Sequence, residues 1–249
     1  MDLQNKSVLI TGGTKGIGQA TAILCAQKGA DVMITGRRND IEAQNTITAI
    51  KATGRKAELL IGDIAKPEEA MRAVADTIAK FGGLDLLVHS AGGPVPGGLL
   101  EISPEAWHTA FDVHVHPIYY LCKAAVPHMK AKKSGSIVLI SSSAGKRAIR
   151  TNIAYQAVKG AIPQITRALA FELADFNIRV NCVAPGVIRT AFHDTMSPEA
   201  KKNNLDNRIP LHREGTIEQV ASLIHEMATN EYITGETFSI DGGLTMRIC

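Results

Sequence analysis

Seven short apolar runs recur along this chain with helix-length stretches between them, and this alternation limits its possible folds more than any other feature. The runs are Val8–Ile10, Val32–Thr35, Leu59–Ile61, Leu84–Val88, Ile137–Ile140, Ile178–Val183 and Thr237–Ile240. Segments near 17–28, 40–53, 67–81, 105–132, 152–175 and 216–229 carry helical composition or periodicity. Strands that alternate with helices form parallel crossover units, and nearly continuous apolar strands belong to a sheet covered on both faces. A chain of 249 residues with 45% hydrophobic content fills one such domain. No linker, repeat or low-complexity stretch divides it. The expectation is an α/β fold, a single domain over 1–249 built on a doubly wound parallel sheet of about seven strands. The segment Arg189–Gly215 reads as polar and irregular. At the C-terminal edge of such a sheet, a stretch of that length is expected to form a substrate lid.

The first run leads into Gly12-Gly-Thr-Lys-Gly16-Ile-Gly18, and a helical stretch follows. Strand, glycine-rich turn and helix in that order open a Rossmann-type dinucleotide site. Glycines let the backbone approach a pyrophosphate, and the helix N-terminus offers unpaired N–H groups and a positive dipole end.

A second constellation bears chemistry. Tyr155 and Lys159 are four residues apart, on one face of a helix, and Ser142 stands thirteen residues ahead of Tyr155 at the end of the fifth apolar run. A cation one turn away is expected to lower the phenol pKa and favour the phenolate. A tyrosine tuned in this way serves as a general acid–base group at neutral pH.

Composition excludes other classes. The net charge of +3 is mild, and its basic residues are dispersed without an aromatic platform, so no nucleic-acid partner is expected. Cys25, Cys122, Cys182 and Cys249 lack C-x-x-C spacing, which indicates neither a zinc site nor a disulfide scaffold. No run approaches membrane-spanning length and the N-terminus lacks a secretory layout. The expectation is a cytoplasmic protein with free thiols, no metal and no membrane partner.

Taken together, these residues resemble the short-chain dehydrogenase/reductase family over nearly the whole chain. The resemblance rests on Thr11–Gly18, Asp63-Ile64, Ser90-Ala91-Gly92, Ser142, Tyr155 with Lys159, Asn181 with Pro185-Gly186, and Asp241-Gly-Gly243, all in order and register. It implies an oxidoreductase that interconverts a ketone and a secondary alcohol by hydride transfer. Ser142 and Tyr155 would then bond the substrate oxygen, and Lys159 would hold the nicotinamide ribose and lower the Tyr155 pKa. Gly12, Thr14, Lys15, Gly16, Ile17 and Gly18 would hold the pyrophosphate side. Asp63 and Ile64 would bracket the adenine, with Ala91 and Gly92 lining the cleft. Pro185, Gly186, Ile188 and Thr190 would back the nicotinamide. The resemblance also implies a homotetramer.

Cofactor choice is read at the end of the second strand, where NAD enzymes place an acid for the ribose 2′-hydroxyl. This chain has Gly36 there, followed by Arg37-Arg38, with Lys15 in the glycine loop. Guanidinium groups bind a phosphate by charge-assisted bonds, so NADP (NADPH) is expected.

One position departs from the family. Where it usually has an asparagine that holds a water on the proton route, this chain has His114. Imidazole donates and accepts, so His114 is expected to substitute as a fourth catalytic residue, and turnover to fall in mildly acid buffer as it titrates. A packing role for His114 stays open, as does a catalytically weak family member acting as a binding or scaffold protein. The substrate, whether 3-oxoacyl, sugar-like or another small carbonyl, is open.

Overall fold

In the computed structural model, which describes residues 1–190 and 196–246, one seven-stranded sheet runs in the order β3-β2-β1-β4-β5-β6-β7. Its strands are β1 (Ser7–Thr11), β2 (Asp31–Gly36), β3 (Ala57–Ile61), β4 (Leu86–His89), β5 (Gly135–Ile140), β6 (Ile178–Pro185) and β7 (Thr237–Ile240). Every pairing is parallel. Eight helices are described: α1 (Gly16–Gln27), α2 (Ile41–Lys51), α3 (Pro67–Phe81), α4 (Pro104–His114), α5 (His116–Lys132), α6 (Ile153–Leu173), α7 (Pro198–Asn203) and α8 (Ile217–Thr229).

Alternation along each strand divides the core in two. Val8 and Ile10 of β1, Val32 and Ile34 of β2, and Leu86 and Val88 of β4 bury on one face with Ala22 and Cys25 of α1 and Val220 and Ile224 of α8. Leu9, Met33, Leu87, Ile137 and Leu139 bury on the other with α3, α5 and α6. Successive side chains of a strand point to opposite faces, so a sheet covered twice needs apolar residues at every position. A smaller cluster of Ala110, Ala154 and Val158, with Trp107 and Phe111 against it, seats α4 on α6.

The order in which strands are laid down reverses between β1 and β4, which lie side by side although two strands separate them in sequence. The carboxyl ends of strands flanking such a switch point form a crevice. There the glycine loop after β1, the 90–93 segment after β4, and Ser142 after β5 converge.

Two expectations are corrected. The helical stretch 105–132 is two helices broken at Val115. Pro117 has no N–H to continue the ladder, and it begins α5 instead. The segment 189–215, expected to be irregular, contains α7, capped by Ser197 Oγ accepting from Ala200 N–H at 3.2 Å, and a π turn over Asn204–Arg208. Its remainder at 191–195 lies outside the described residues.

Candidate active site and cofactor cleft

Ser142 and Tyr155 meet at the carboxyl end of β5. The Ser142 Oγ accepts the Ala144 N–H at 3.1 Å, which caps the short 3₁₀ turn Ser143–Gly145. Its own proton remains to donate, and it hydrogen-bonds Tyr155. Lys159 lies one turn further along α6, its Nζ 5.8 Å from the Tyr155 ring centroid. That ammonium is buried and donates to the Ile140 carbonyl at 2.8 Å. Burial brings its pKa down to about 8.

The expected lowering of the Tyr155 pKa is not what this geometry gives. Burial raises it, and the Ser142 hydrogen bond is the opposing influence. The reason is that Lys159 is turned to the Ile140 carbonyl and is itself desolvated.

Lys159 is held from behind by a residue that the sequence reading missed. Pro163 sits inside α6 and cannot donate to the Lys159 carbonyl four residues back. Ser141 Oγ takes that carbonyl instead, at 2.6 Å. The Gly145 backbone closes on the same point, since a Cβ there would lie 2.5 Å from the Lys159 oxygen. The sequence does foretell the need, since Pro163 inside the helix frees the Lys159 carbonyl for water or a side chain, but it does not name Ser141 as the donor.

His114 is brought to the site. Its ring meets the Tyr155 ring edge-on, with centroids 5.9 Å apart. Nε2 lies 3.1 Å from the Gly93 carbonyl, and buried Nδ1 has no partner among the described residues. The ring fills the space beside Gly92, where a Cβ would fall 2.4 Å from the His114 Cε1. A second buried histidine, His89, pairs its Nδ1 with Thr11 Oγ1 at 2.8 Å, and that hydroxyl accepts the Ala91 N–H at 3.3 Å. Burial, then the Lys159 charge, depress the pKa of His114 to about 2 and of His89 to about 3. Both rings are neutral throughout the working range, so the expected loss of turnover in mild acid through His114 is corrected.

The glycine loop makes a cradle that side chains would fill. A Cβ on Gly18 would meet the Gly12 carbonyl at 2.2 Å, and one on Gly12 would meet the Ala91 Cα at 2.7 Å. Gly16, at φ +59, faces open space as far as Thr190, whose Cγ2 is 3.7 Å from where a Cβ would stand. Glycine is needed at Gly16 for the backbone angle, at Gly18 for clearance and at Gly12 for both. Ile17 and Gly18 form the first turn of α1, which carries no acidic residue. An open loop at a helix N-terminus, facing the β6 end, fits the phosphates and nicotinamide of a dinucleotide.

The other positions expected to meet a cofactor are placed as follows. Asp63 is exposed after β3 and accepts the Ala65 N–H at 3.1 Å, and Ile64 is buried. Pro185 ends β6, and Gly186 N–H bonds the Ile240 carbonyl at 2.9 Å. Ile188 pairs with Gly215 in an isolated bridge, and Thr190 lies opposite Gly16. Arg37 and Arg38 are exposed at the end of β2. Asn181 and Asp241, by contrast, serve the scaffold. Asn181 Nδ2 donates to the Ile233 carbonyl at 2.7 Å, and Asp241 holds the terminal turn through Gly243 and Thr245. A cavity of about 360 Å³ is lined by Val187, Ile188, Leu211, Arg213 and Asp241, apart from Ser142, Tyr155 and Lys159.

The enoyl-(acyl carrier protein) reductase family profile matches residues 12–245. Dehydrogenase/reductase SDR family member 4 of Oryctolagus cuniculus is 34% identical over 250 residues, covering 99% of this chain and 96% of that protein. The 3-oxoacyl-(acyl-carrier-protein) reductase of Chlamydia muridarum is 35% identical, over 97% of this chain and 98% of its own. A crystal structure of a putative short-chain alcohol dehydrogenase from Sinorhizobium meliloti superposes with a TM-score of 0.94 at 31% identity, covering 99% of each chain. The chain belongs to the short-chain dehydrogenase/reductase family. It is an oxidoreductase of that family, whose members use nicotinamide cofactors.

Proposed function

We propose that this protein is an NADPH-dependent carbonyl reductase that interconverts a ketone and a secondary alcohol. The observation that carries the reading is the Ser142–Tyr155 hydrogen bond beside the buried Lys159 ammonium. When bound, the nicotinamide supplies the hydride to the carbonyl carbon. Ser142 and Tyr155 hold the substrate oxygen, and in reduction the Tyr155 phenol gives that oxygen its proton. The phenolate left behind is stabilised by the Ser142 hydrogen bond, which opposes the rise that burial imposes on the Tyr155 pKa. His114, neutral and against Gly93, serves on the route that returns the proton to Tyr155.

Gly16–Gly18 and Thr190 hold the phosphates and the nicotinamide side, and Lys15, Arg37 and Arg38 favour a 2′-phosphate over a 2′-hydroxyl. The substrate is a 3-oxoacyl, sugar-like or other small ketone. The 3-oxoacyl class is favoured by the similarity to the Chlamydia muridarum reductase. The 189–215 segment acts as the substrate lid. Its two ends are tied where it leaves and rejoins the sheet, Arg189 N–H to the Gly215 carbonyl at 2.9 Å and Gly215 N–H to the Val187 carbonyl at 3.0 Å. The free, buried thiols of Cys25, Cys122 and Cys182 suit a cytoplasmic setting.

NADPH and NADH oxidation against a panel of acyl, sugar and aromatic ketones tests the reading. Tyr155→Phe is expected to abolish nearly all turnover while NADPH still binds, measured by quenching of cofactor fluorescence. Ketone reduction at the wild-type rate in that variant ends the assignment.

A further inference from the structure

Of the three cations assigned to a 2′-phosphate, one is already engaged. Lys15 Nζ lies 3.5 Å from Glu42 Oε2, in the first turn of α2. Among the described residues, no carboxylate pairs with Arg37 or Arg38. One turn past Glu42, the same helix grips the backbone of the loop. Thr46 is fully buried, and its Oγ1 lies 3.0 Å from both the Thr14 and the Glu42 carbonyls, while it accepts Gln19 Nε2 at 2.8 Å. Helix α2 therefore holds Thr14 through Thr46 and Lys15 through Glu42.

The same corner disfavours the alternative way of reading the ribose. A Cβ on Gly36 would fall 2.4 Å from the Thr14 Cγ2, while the Thr14 backbone is held by Thr46. An acid at the end of β2, which reads a 2′-hydroxyl in dinucleotide folds, would need the Thr14 side chain to turn away. With glycine at that position, discrimination falls to the exposed cations.

We propose that Glu42 sets the strength of that discrimination by competing with the 2′-phosphate for Lys15. The inference rests on the reading that the cleft takes NADPH. Both partners are substantially exposed, Lys15 at 63% and Glu42 at 49%, so the pair can be exchanged. An incoming phosphate is repelled by the carboxylate and must displace it from the ammonium. Glu42→Gln removes both penalties and keeps the side chain's size. Exposed pairs are weak and screened by salt, so the gain is roughly two- to five-fold and fades as ionic strength rises.

Isothermal titration of adenosine 2′,5′-bisphosphate and of 5′-AMP separates the contributions, since these ligands differ only in the 2′-phosphate. Glu42→Gln is expected to bind the bisphosphate roughly two- to five-fold more tightly than wild type, at low salt, with no matching gain for 5′-AMP. In a Lys15→Gln background the gain should shrink, because only the repulsion by the carboxylate is then left to relieve. An equal change for both ligands, no change, or a gain undiminished by the loss of Lys15 overturns the role of Glu42. If the wild-type protein binds the bisphosphate no more tightly than 5′-AMP, the NADPH reading itself fails. That outcome is visible before any Glu42 variant is made.

Discussion

His114 and His89 lie under the 90–93 segment with their rings out of water and the Lys159 ammonium nearby. Protonating either would put a second cation into a buried site. Their folded pKa values of about 2 and about 3 lie far below the roughly 6.5 of an unfolded chain. Each therefore contributes stability that is fully present above pH ~6.5 and is lost as pH falls toward the folded value, by up to about 1.4 kcal/mol per pH unit. His114→Asn removes one of the two titrations. Urea unfolding between pH ~7 and ~4 should give a shallower loss of stability for that variant than for wild type. Equal slopes would mean that His114 titrates as an exposed imidazole does. Sequence could name His114 as the departing position, because spacing along a helix is local. It could not give its protonation, which depends on the ring being closed over by Gly92 and Gly93 from another part of the chain. The Tyr155 pKa failed to be legible for the same reason: four-residue spacing promised a neighbouring charge, and burial outweighed it.

Helix α6 carries Tyr155 and Lys159 on one face and has Pro163 one turn beyond. The proline leaves the Lys159 carbonyl without its helical donor, and Ser141 supplies one from the end of β5. A defect in the helix thus ties it to the strand end that bears Ser142. Ser141→Ala should cost about 1–3 kcal/mol, because it orphans a buried acceptor. In a Pro163→Ala background the restored N–H can reach that carbonyl, so the same Ser141→Ala change should cost distinctly less. A double-mutant cycle by denaturant unfolding reads the coupling, and additive losses would show that the two groups do not share the Lys159 carbonyl. The apolar runs placed the strands because a doubly covered sheet leaves its central strands apolar along their length, whereas the edge strand β7, with Phe238 and Ser239 exposed, is only partly so. The break at Val115 and the helix inside 189–215 were hidden by continuous helical composition in one case and by polar composition in the other. Pro117 and the Ser197-Pro198 cap were the local signs of both.

Across the whole molecule, the alternation of strand and helix foretold a sheet whose order reverses at β1 and β4, and the candidate site residues follow six of its strand ends. Assembly is less legible, because a surface residue's partner is not in its own sequence neighbourhood. We propose, with the family resemblance, that α5 and α6 pair with their counterparts in a homotetramer. The outer faces of these helices carry Tyr119, 61% exposed, and Phe171, 91% exposed. Both are large side chains that the chain itself leaves uncovered, and a subunit contact along these helices would cover them. Closed symmetry sets each such patch against its own copy, so a charge placed on the patch meets the same charge across the axis. Phe171→Glu should therefore split the assembly while each subunit keeps its fold, since the side chain makes almost no contact within its own chain. Light scattering at micromolar concentration is expected to give a tetramer mass for wild type and a smaller species for the variant, with circular dichroism unchanged. A wild-type mass of one subunit would refute the assembly, and a tetramer that survives Phe171→Glu would move the interface away from α6.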